Sequence, residues 1–192
     1  MSHNGRQHQG MAADVLVPHM TSTASWLESV GARPATCLVL DGITTPANVG
    51  MIIRAASASG IDGIVVPTAG VADIGPLVVK ASAGTVFRAP LVRARTALEA
   101  AGLLSRAGFE LISLEAAAGT SLWDANIGPR TAFVVGGETD GVSGAVGKLV
   151  TTHITIPMDA EVESLNVATA ASVLCFELAR RRSRHGTAEL TD

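Results

Sequence analysis

From Cys37 onward the chain alternates between short β-rich runs and stretches with helical spacing, and that alternation restricts the fold more than any other feature. The runs at 37–40, 64–66, 110–114, 132–135 and 153–156 are short and dominated by apolar residues. Between them, residues 49–59, 75–82, 97–106, 143–150 and 164–182 repeat apolar positions at helical spacing, and a further short helix is expected over 25–30. Strands that are apolar on both sides must be covered on both faces. The expected fold class is therefore α/β, a parallel sheet flanked by helices on both faces. Punctuation agrees with this reading. Pro76 suits the first turn of one helix and Gly84 lies beyond its end. Thr96 and Glu99 form a capping-box pattern for the next, with Gly108 as its stop.

A chain of 192 residues is expected to build one domain with a sizeable core. Residues 1–22 are polar and lack periodicity, so they read as a flexible leader; 23–184 form the folded domain and 185–192 a flexible tail. His3, His8 and His19 have no Cys or acidic companions at zinc-site spacing, so no metal is expected. Cys37 and Cys175 fall in a predicted strand and a predicted helix and read as buried thiols. With no membrane-length apolar run and no signal-peptide pattern, the expected location is cytoplasmic, away from any membrane. Four Phe, two Trp and no Tyr argue against stacking RNA bases on a row of aromatics, and a net charge of −3 gives nucleic acid no general attraction.

Three segments carry polar chemistry at strand ends. In DGITTPANVGMIIRAASASG, residues 41–60, Asn48 reads as a helix N-cap and Gly50 as a point of close approach. Arg54 is either an ion-pair or snorkelling residue, or a clamp for phosphate or carboxylate at the sheet's carboxyl edge. In FVVGGETDGVS, residues 133–143, Gly136 and Gly137 either serve a tight turn or let the backbone meet a flat adenine ring, with Glu138 nearby. The spacing fits neither a dinucleotide fingerprint nor a phosphate loop, which leaves a nucleotide-dependent α/β enzyme without its expected glycines. In IPMDAEVESLNV, residues 156–167, Pro157 stops a strand and a polar loop leads into a helix. Ser164 is either that helix's N-cap or a site residue, and Asn166 a first-turn polar group. The Arg180–Arg184 cluster is either a solvated helix end or a contact for RNA phosphate.

Taken in order, N-x-G-x-x-x-R at Asn48, Gly50 and Arg54, G-x-E-x-x-G at Gly136, Glu138 and Gly141, and IPM with VESLNV over 156–167 resemble the three motifs of the SpoU (TrmH-like) branch of the SPOUT RNA ribose 2′-O-methyltransferases. Lys80, Ser82 and Gly84 also look like that family, and the likeness covers roughly residues 36–182. It implies a C-terminal trefoil knot, which periodicity does not show. It also implies a homodimer with the catalytic site at the subunit interface, S-adenosyl-L-methionine bound bent in the knot, and tRNA or rRNA as substrate. Carried over by motif position, Leu114, Gly136, Ile156, Met158 and Leu165 would bind the cofactor. Arg54 would act on the ribose 2′-hydroxyl, with Asn48, Glu138, Ser164 and Asn166 completing the catalytic set.

The chemistry so implied is an in-line displacement in which the 2′-oxygen attacks the sulfonium methyl and S-adenosylhomocysteine leaves, with no metal. Arg54 is then either a base assisted by a substrate phosphate, or a clamp that positions that phosphate and stabilises the developing alkoxide. The family often has Gly where Ala160 stands. About 35 residues before Cys37 are too few for a separate RNA-binding domain, so either RNA meets a basic face drawn across the dimer from Arg54, Arg88, Arg93, Arg95 and the Arg180–Arg184 cluster, or part of the natural protein lies outside this sequence. The rival from another class is a non-catalytic RNA-binding or assembly factor that retains the fold. Retention of Arg54, Glu138, Ser164 and Asn166 speaks against it.

Overall fold

The computed structural model describes residues 20–159 and 161–188. The expected strands form at β2 (Ala35–Asp41), β3 (Gly63–Pro67), β5 (Glu110–Leu114), β7 (Arg130–Gly136) and β8 (Thr152–Thr155). Three short ones join them: β1 (Thr21–Ser22), β4 (Leu91–Ala94) and β6 (Thr120–Ser121). All eight build one sheet in the order β1-β4-β3-β2-β7-β5-β8-β6, and every neighbouring pair is parallel. Thr21 and Ser22, assigned by sequence to the leader, are thus a sheet edge beside Val92 and Arg93. Residues 1–19, with His3, His8 and His19, and Ala160 lie outside the described residues.

Helices cover both faces, as continuous apolar strands require. On one face α2 (Pro46–Ala58), α3 (Pro76–Ala81) and α6 (Val167–Ala188) pack on Leu38, Leu40, Ile64, Ile112, Phe133 and Ile154. On the other, α1 (Thr23–Val30), α4 (Ala97–Arg106) and α5 (Gly144–Gly147) meet the alternate residues Cys37, Val39, Val65, Leu111, Ala132 and Val134. The period of two in each strand assigns successive side chains to opposite cores. Cys37 and Cys175 are buried free thiols on opposite sides of the sheet. Among the described residues no helix is long and apolar enough to cross a membrane.

Helix starts differ from expectation at two functional residues. The α2 helix begins after Thr45 with Pro46 in its first turn, so Asn48 is not a cap but a buried residue inside the helix, 5% exposed. The α6 helix begins at Val167, and its cap is Asn166 rather than Ser164: Asn166 Oδ1 accepts from the backbone N–H groups of Ala168 and Thr169. Around Thr96 the cap holds as expected, its hydroxyl accepting from Glu99 N–H, while Glu99 reaches Arg95 N–H rather than Thr96. The α6 helix also runs past residue 182 to Ala188.

Candidate active site

Register brings the carboxyl ends of the central strands level. Asp41 faces Gly136 across β2 and β7, and Leu114 faces Val135 on one side and Ile154 on the other. Loops leaving these ends meet above the sheet, where open parallel sheets commonly bind ligands. The turn after β7 folds back on itself, Gly137 and Gly141 exchanging backbone hydrogen bonds of 3.1 and 3.0 Å. A side chain at Gly136 would occupy the backbone of Gly141 and Val142, and one at Gly137 would strike the carbonyl of Gly42. Both glycines are therefore set by backbone meeting backbone, which keeps the turn low against the strand end.

Beside that turn lies a cavity of about 630 Å³, a size that suits a nucleoside-sized ligand. Leu114, Gly136, Ile156, Met158 and Leu165 all line it, as do Glu138, Ser164 and Asn166. A second cavity of about 360 Å³ opens toward the start of α2, where Thr44, Thr45 and Asn48 form its wall. Gly137, Glu138, Asp140, Gly141 and Val167 border both, so Glu138 stands on the partition.

The partition is held by side chains from three distant segments. Asn166 Nδ2 donates to Glu138 Oε1 at 2.6 Å and to Asn48 Oδ1 at 3.2 Å, and Asn48 Nδ2 donates to the same carboxylate oxygen at 3.1 Å. With Oδ1 committed to the helix cap, each polar atom of Asn166 is engaged. Asp41 secures the turn from below, its Oδ2 accepting from Ser143 N–H at 2.8 Å. Gly50, one turn into α2, is the point where α3 crosses: a Cβ there would lie 2.6 Å from Ala81 Cβ and 2.7 Å from Val78 O. Its absence of side chain lets α2 sit close enough to bring Asn48 to the partition.

Arg54 is placed apart from this group. It is exposed on α2, lines neither cavity, and among the described residues makes no hydrogen bond and no ion pair. The C-terminal arginines do structural duty instead. Arg180 and Arg181 bind the carboxylate of buried Glu177 at 2.7 and 2.8 Å. Arg181 also donates to the carbonyls of Leu122 and Ala125, and Arg182 to that of Ser59. Arg181 and Arg182 thus tie α6 to the rest of the domain, while Arg180 braces Glu177 within the helix, roles neither sequence reading of the cluster contained. Arg88, Arg93 and Arg95 are exposed, Arg95 beside Glu99.

One cluster escaped the sequence reading. Ser113, fully buried, donates to Glu115 Oε1 at 2.6 Å; His153 Nδ1 lies 2.7 Å from the same oxygen and 2.8 Å from the hydroxyl. Glu115 lines the larger cavity, with Ala116 and Ala117. Burial opposes its charge, but the bonds from Ser113 and His153 outweigh that and hold its carboxyl below the ordinary range. The available signal was the period of two in β5, which puts Ser113 and Glu115 on one side of the strand.

The chain matches the profile of the SpoU rRNA Methylase family over residues 35–176. It is 33% identical to the 23S rRNA (guanosine-2′-O-)-methyltransferase RlmB of Xylella fastidiosa over 93% of this chain and 73% of that one. Among solved structures it resembles the SpoU methyltransferase AviRb of Streptomyces viridochromogenes in complex with AdoMet, with a TM-score of 0.72 and 29% identity, covering 80% of this chain and 63% of that one. The present chain thus spans less than two thirds of that neighbour. A structure concerned with 2-OH methylation of C/U34 on tRNA superposes with a TM-score of 0.68 and 26% identity over 80% of this chain and 99% of its own.

Proposed function

This chain belongs to the SpoU rRNA methylase family, and we propose that it is an S-adenosylmethionine-dependent RNA methyltransferase acting on a ribose 2′-hydroxyl of ribosomal or transfer RNA. The observation that carries the reading is the partition: one carboxylate, Glu138, stands between two cavities and is gripped by two asparagines. The larger cavity fits the cofactor. Its apolar residues Leu114, Ile156 and Leu165 suit a nucleoside ring, and the low turn at Gly136 leaves backbone groups for its polar edge. When bound, the cofactor supplies an electrophilic methyl group carried on a sulfonium.

The smaller cavity takes the target ribose. Thr44 and Thr45 present hydroxyls at the start of α2, and Asn48 and Glu138 form its inner wall. Glu138 Oε1 is saturated by amide donors, which leaves Oε2 to accept from the ribose hydroxyl and aim its oxygen. Ser164 lines the cofactor side, two residues before Asn166.

Arg54 enters from a second copy of the chain. It lines neither cavity of its own subunit, and it shares the exposed side of its helix with Met51, 41% exposed. Leu77 on α3 and Phe176 on α6, 65% and 54% exposed, extend an apolar surface over helices that pack together. Such a patch suits a homodimer contact, and pairing there carries Arg54 toward the partner's smaller cavity. There it clamps the substrate phosphate and stabilises charge on the attacking oxygen.

The knot belongs to the same proposal. The chain leaves β8 near one sheet edge, passes the ends of β5 and β7 at the cavity, and packs α6 against α2. Arg181 on α6 is gripped by the loop carrying Leu122 and Ala125. This path supports a C-terminus threaded through the preceding loop.

The test is transfer of a labelled methyl group from S-adenosylmethionine to total RNA, followed by digestion and mapping. Label in an alkali-resistant, 2′-O-methylated dinucleotide is expected. A protein that binds the cofactor but labels no RNA, or labels only bases, overturns the reading.

A further inference from the structure

The Ser113–Glu115–His153 cluster is a built acceptor site in the wall of the larger cavity, separate from the Asn48–Glu138–Asn166 network. Both of the carboxylate's bonds fall on Oε1: Ser113 hydroxyl at 2.6 Å and His153 Nδ1 at 2.7 Å. Among the described residues Oε2 makes no hydrogen bond, and Glu115 is only partly covered, with 37% of its side chain exposed. The cost of burying the Ser113 hydroxyl is offset by its bond to Oε1, so a fully buried residue fixes this carboxylate in the cavity wall.

Position says what that is. Glu115 follows β5, the strand next to β7, and β7 carries the glycine turn. The partition, built on α2, the β7 turn and the start of α6, lies on the β2 side of that turn, so Glu115 faces the part of the ligand remote from the methyl-accepting ribose. A carboxylate accepts and never donates while ionised, which fits a pair of vicinal hydroxyls. Dinucleotide-binding sheets use the same device, an acidic residue at a strand end accepting from a ribose hydroxyl beside a glycine turn.

Resting on the reading that this cavity holds S-adenosylmethionine, we propose that Glu115 binds the 2′- and 3′-hydroxyls of the cofactor's own ribose, with Ser113 and His153 as positioning residues that hold its carboxylate toward them. Ser113 donates through its hydroxyl and His153 through Nδ1–H, so the two share Oε1 and leave Oε2 and its lone pairs to the diol.

The experiment is a cycle between protein and ligand. Dissociation constants for S-adenosylhomocysteine and its 2′-deoxy analogue are measured calorimetrically with the full chain and with Glu115→Gln, Glu115→Ala and Ser113→Ala. Wild type is expected to favour the hydroxylated ligand by about tenfold. In Glu115→Ala that preference is expected to fall to near unity, and in Ser113→Ala to an intermediate value. Taking the ratio of two ligands on one protein removes any general loosening of the fold. Should Glu115→Ala fail to fold, Glu115→Gln, which keeps the shape and halves the acceptors, decides by the same ratio. A preference that stays at its wild-type value in the Glu115 variants, or a wild type with none, overturns the assignment while leaving the cofactor reading intact. A folded wild type that binds neither ligand overturns the cofactor reading itself, and this assignment with it.

Discussion

Asn166 Nδ2 donates to Glu138 Oε1 at 2.6 Å while Asn166 Oδ1 caps the first turn of α6. One side chain thus couples the start of the C-terminal helix to the carboxylate between the two cavities. The two halves of that role together are beyond a residue with a single kind of polar atom. An amide carries an acceptor for the helix and a donor for the carboxylate on the same plane.

Asn166→Asp keeps the cap and removes the donor. It places a second carboxylate beside Glu138 Oε1 and Asn48 Oδ1. The variant is expected to unfold near the wild-type temperature yet lose methyl transfer by at least tenfold. Asn166→Ala also loses the cap, at about 1 kcal/mol. Thermal unfolding together with RNA methylation separates the two, and full activity in Asn166→Asp would remove the partition from the mechanism.

Arg54→Ala is expected to leave stability within about 0.5 kcal/mol, because the side chain is exposed and has no partner among the described residues. Methylation should be abolished while S-adenosylhomocysteine still binds. Co-refolding this variant with Asn166→Asp tests the shared site, since each mixed dimer holds one intact set of residues. Random pairing is expected to restore about a quarter of wild-type activity. No restoration would place Arg54 and Asn166 in the same subunit's site.

Gly50→Ala should destabilise by about 1–3 kcal/mol. Its Cβ would lie 2.6 Å from Ala81 Cβ and 2.7 Å from Val78 O, so α2 and α3 must separate. Urea unfolding reads the loss. Cofactor affinity is expected to change less than methyl transfer, because α2 supplies Asn48 to the smaller cavity and nothing to the larger.

Glu177 supplies a pH dependence whose sign follows from its partners. The hydrogen bond from Arg180, opposed by burial and reinforced by Arg181, holds its carboxyl at about 2 against an ordinary 4.5. A depressed carboxyl stabilises the fold fully above its unfolded value, and that contribution is lost as pH falls from about 4.5 toward 2. Glu177→Gln is expected to cost about 1–3 kcal/mol at neutral pH. The gap between the variant and wild type should then narrow as unfolding is measured at successively lower pH through that window. A gap that is constant from neutral pH to about 2 would contradict the pairing.

The central strands were legible because burial on both faces leaves its mark locally: residues 38–40 and 132–135 are apolar without a break. The α4 helix was legible for a similar reason, Thr96 and Glu99 sitting at its start. The β1, β4 and β6 strands were not. Two of them are Thr-Ser pairs whose structure comes from a neighbour's backbone, and the third is only four residues long, its buried Leu91, Val92 and Ala94 interrupted by exposed Arg93. Asn48 misled because asparagine favours caps, whereas here its partners lie 90 and 118 positions away, at Glu138 and Asn166. The motif residues Asn48, Gly136, Glu138 and Asn166 line the cavities, but the motifs carry nothing of their contacts. His153 meets Ser113 and Glu115 only because β5 and β8 are adjacent, a pairing no local pattern encodes.

The capping of α6 by a residue of the site has a further consequence for how the protein comes into being. Synthesis delivers Asn48 and Glu138 well before Asn166, and the arginines that lock α6 come later still. A ribosome-bound chain can therefore complete the central strands and still present Glu138 without its stronger amide donor. Competence to act arrives only with α6, whose capping residue completes the grip on that carboxylate.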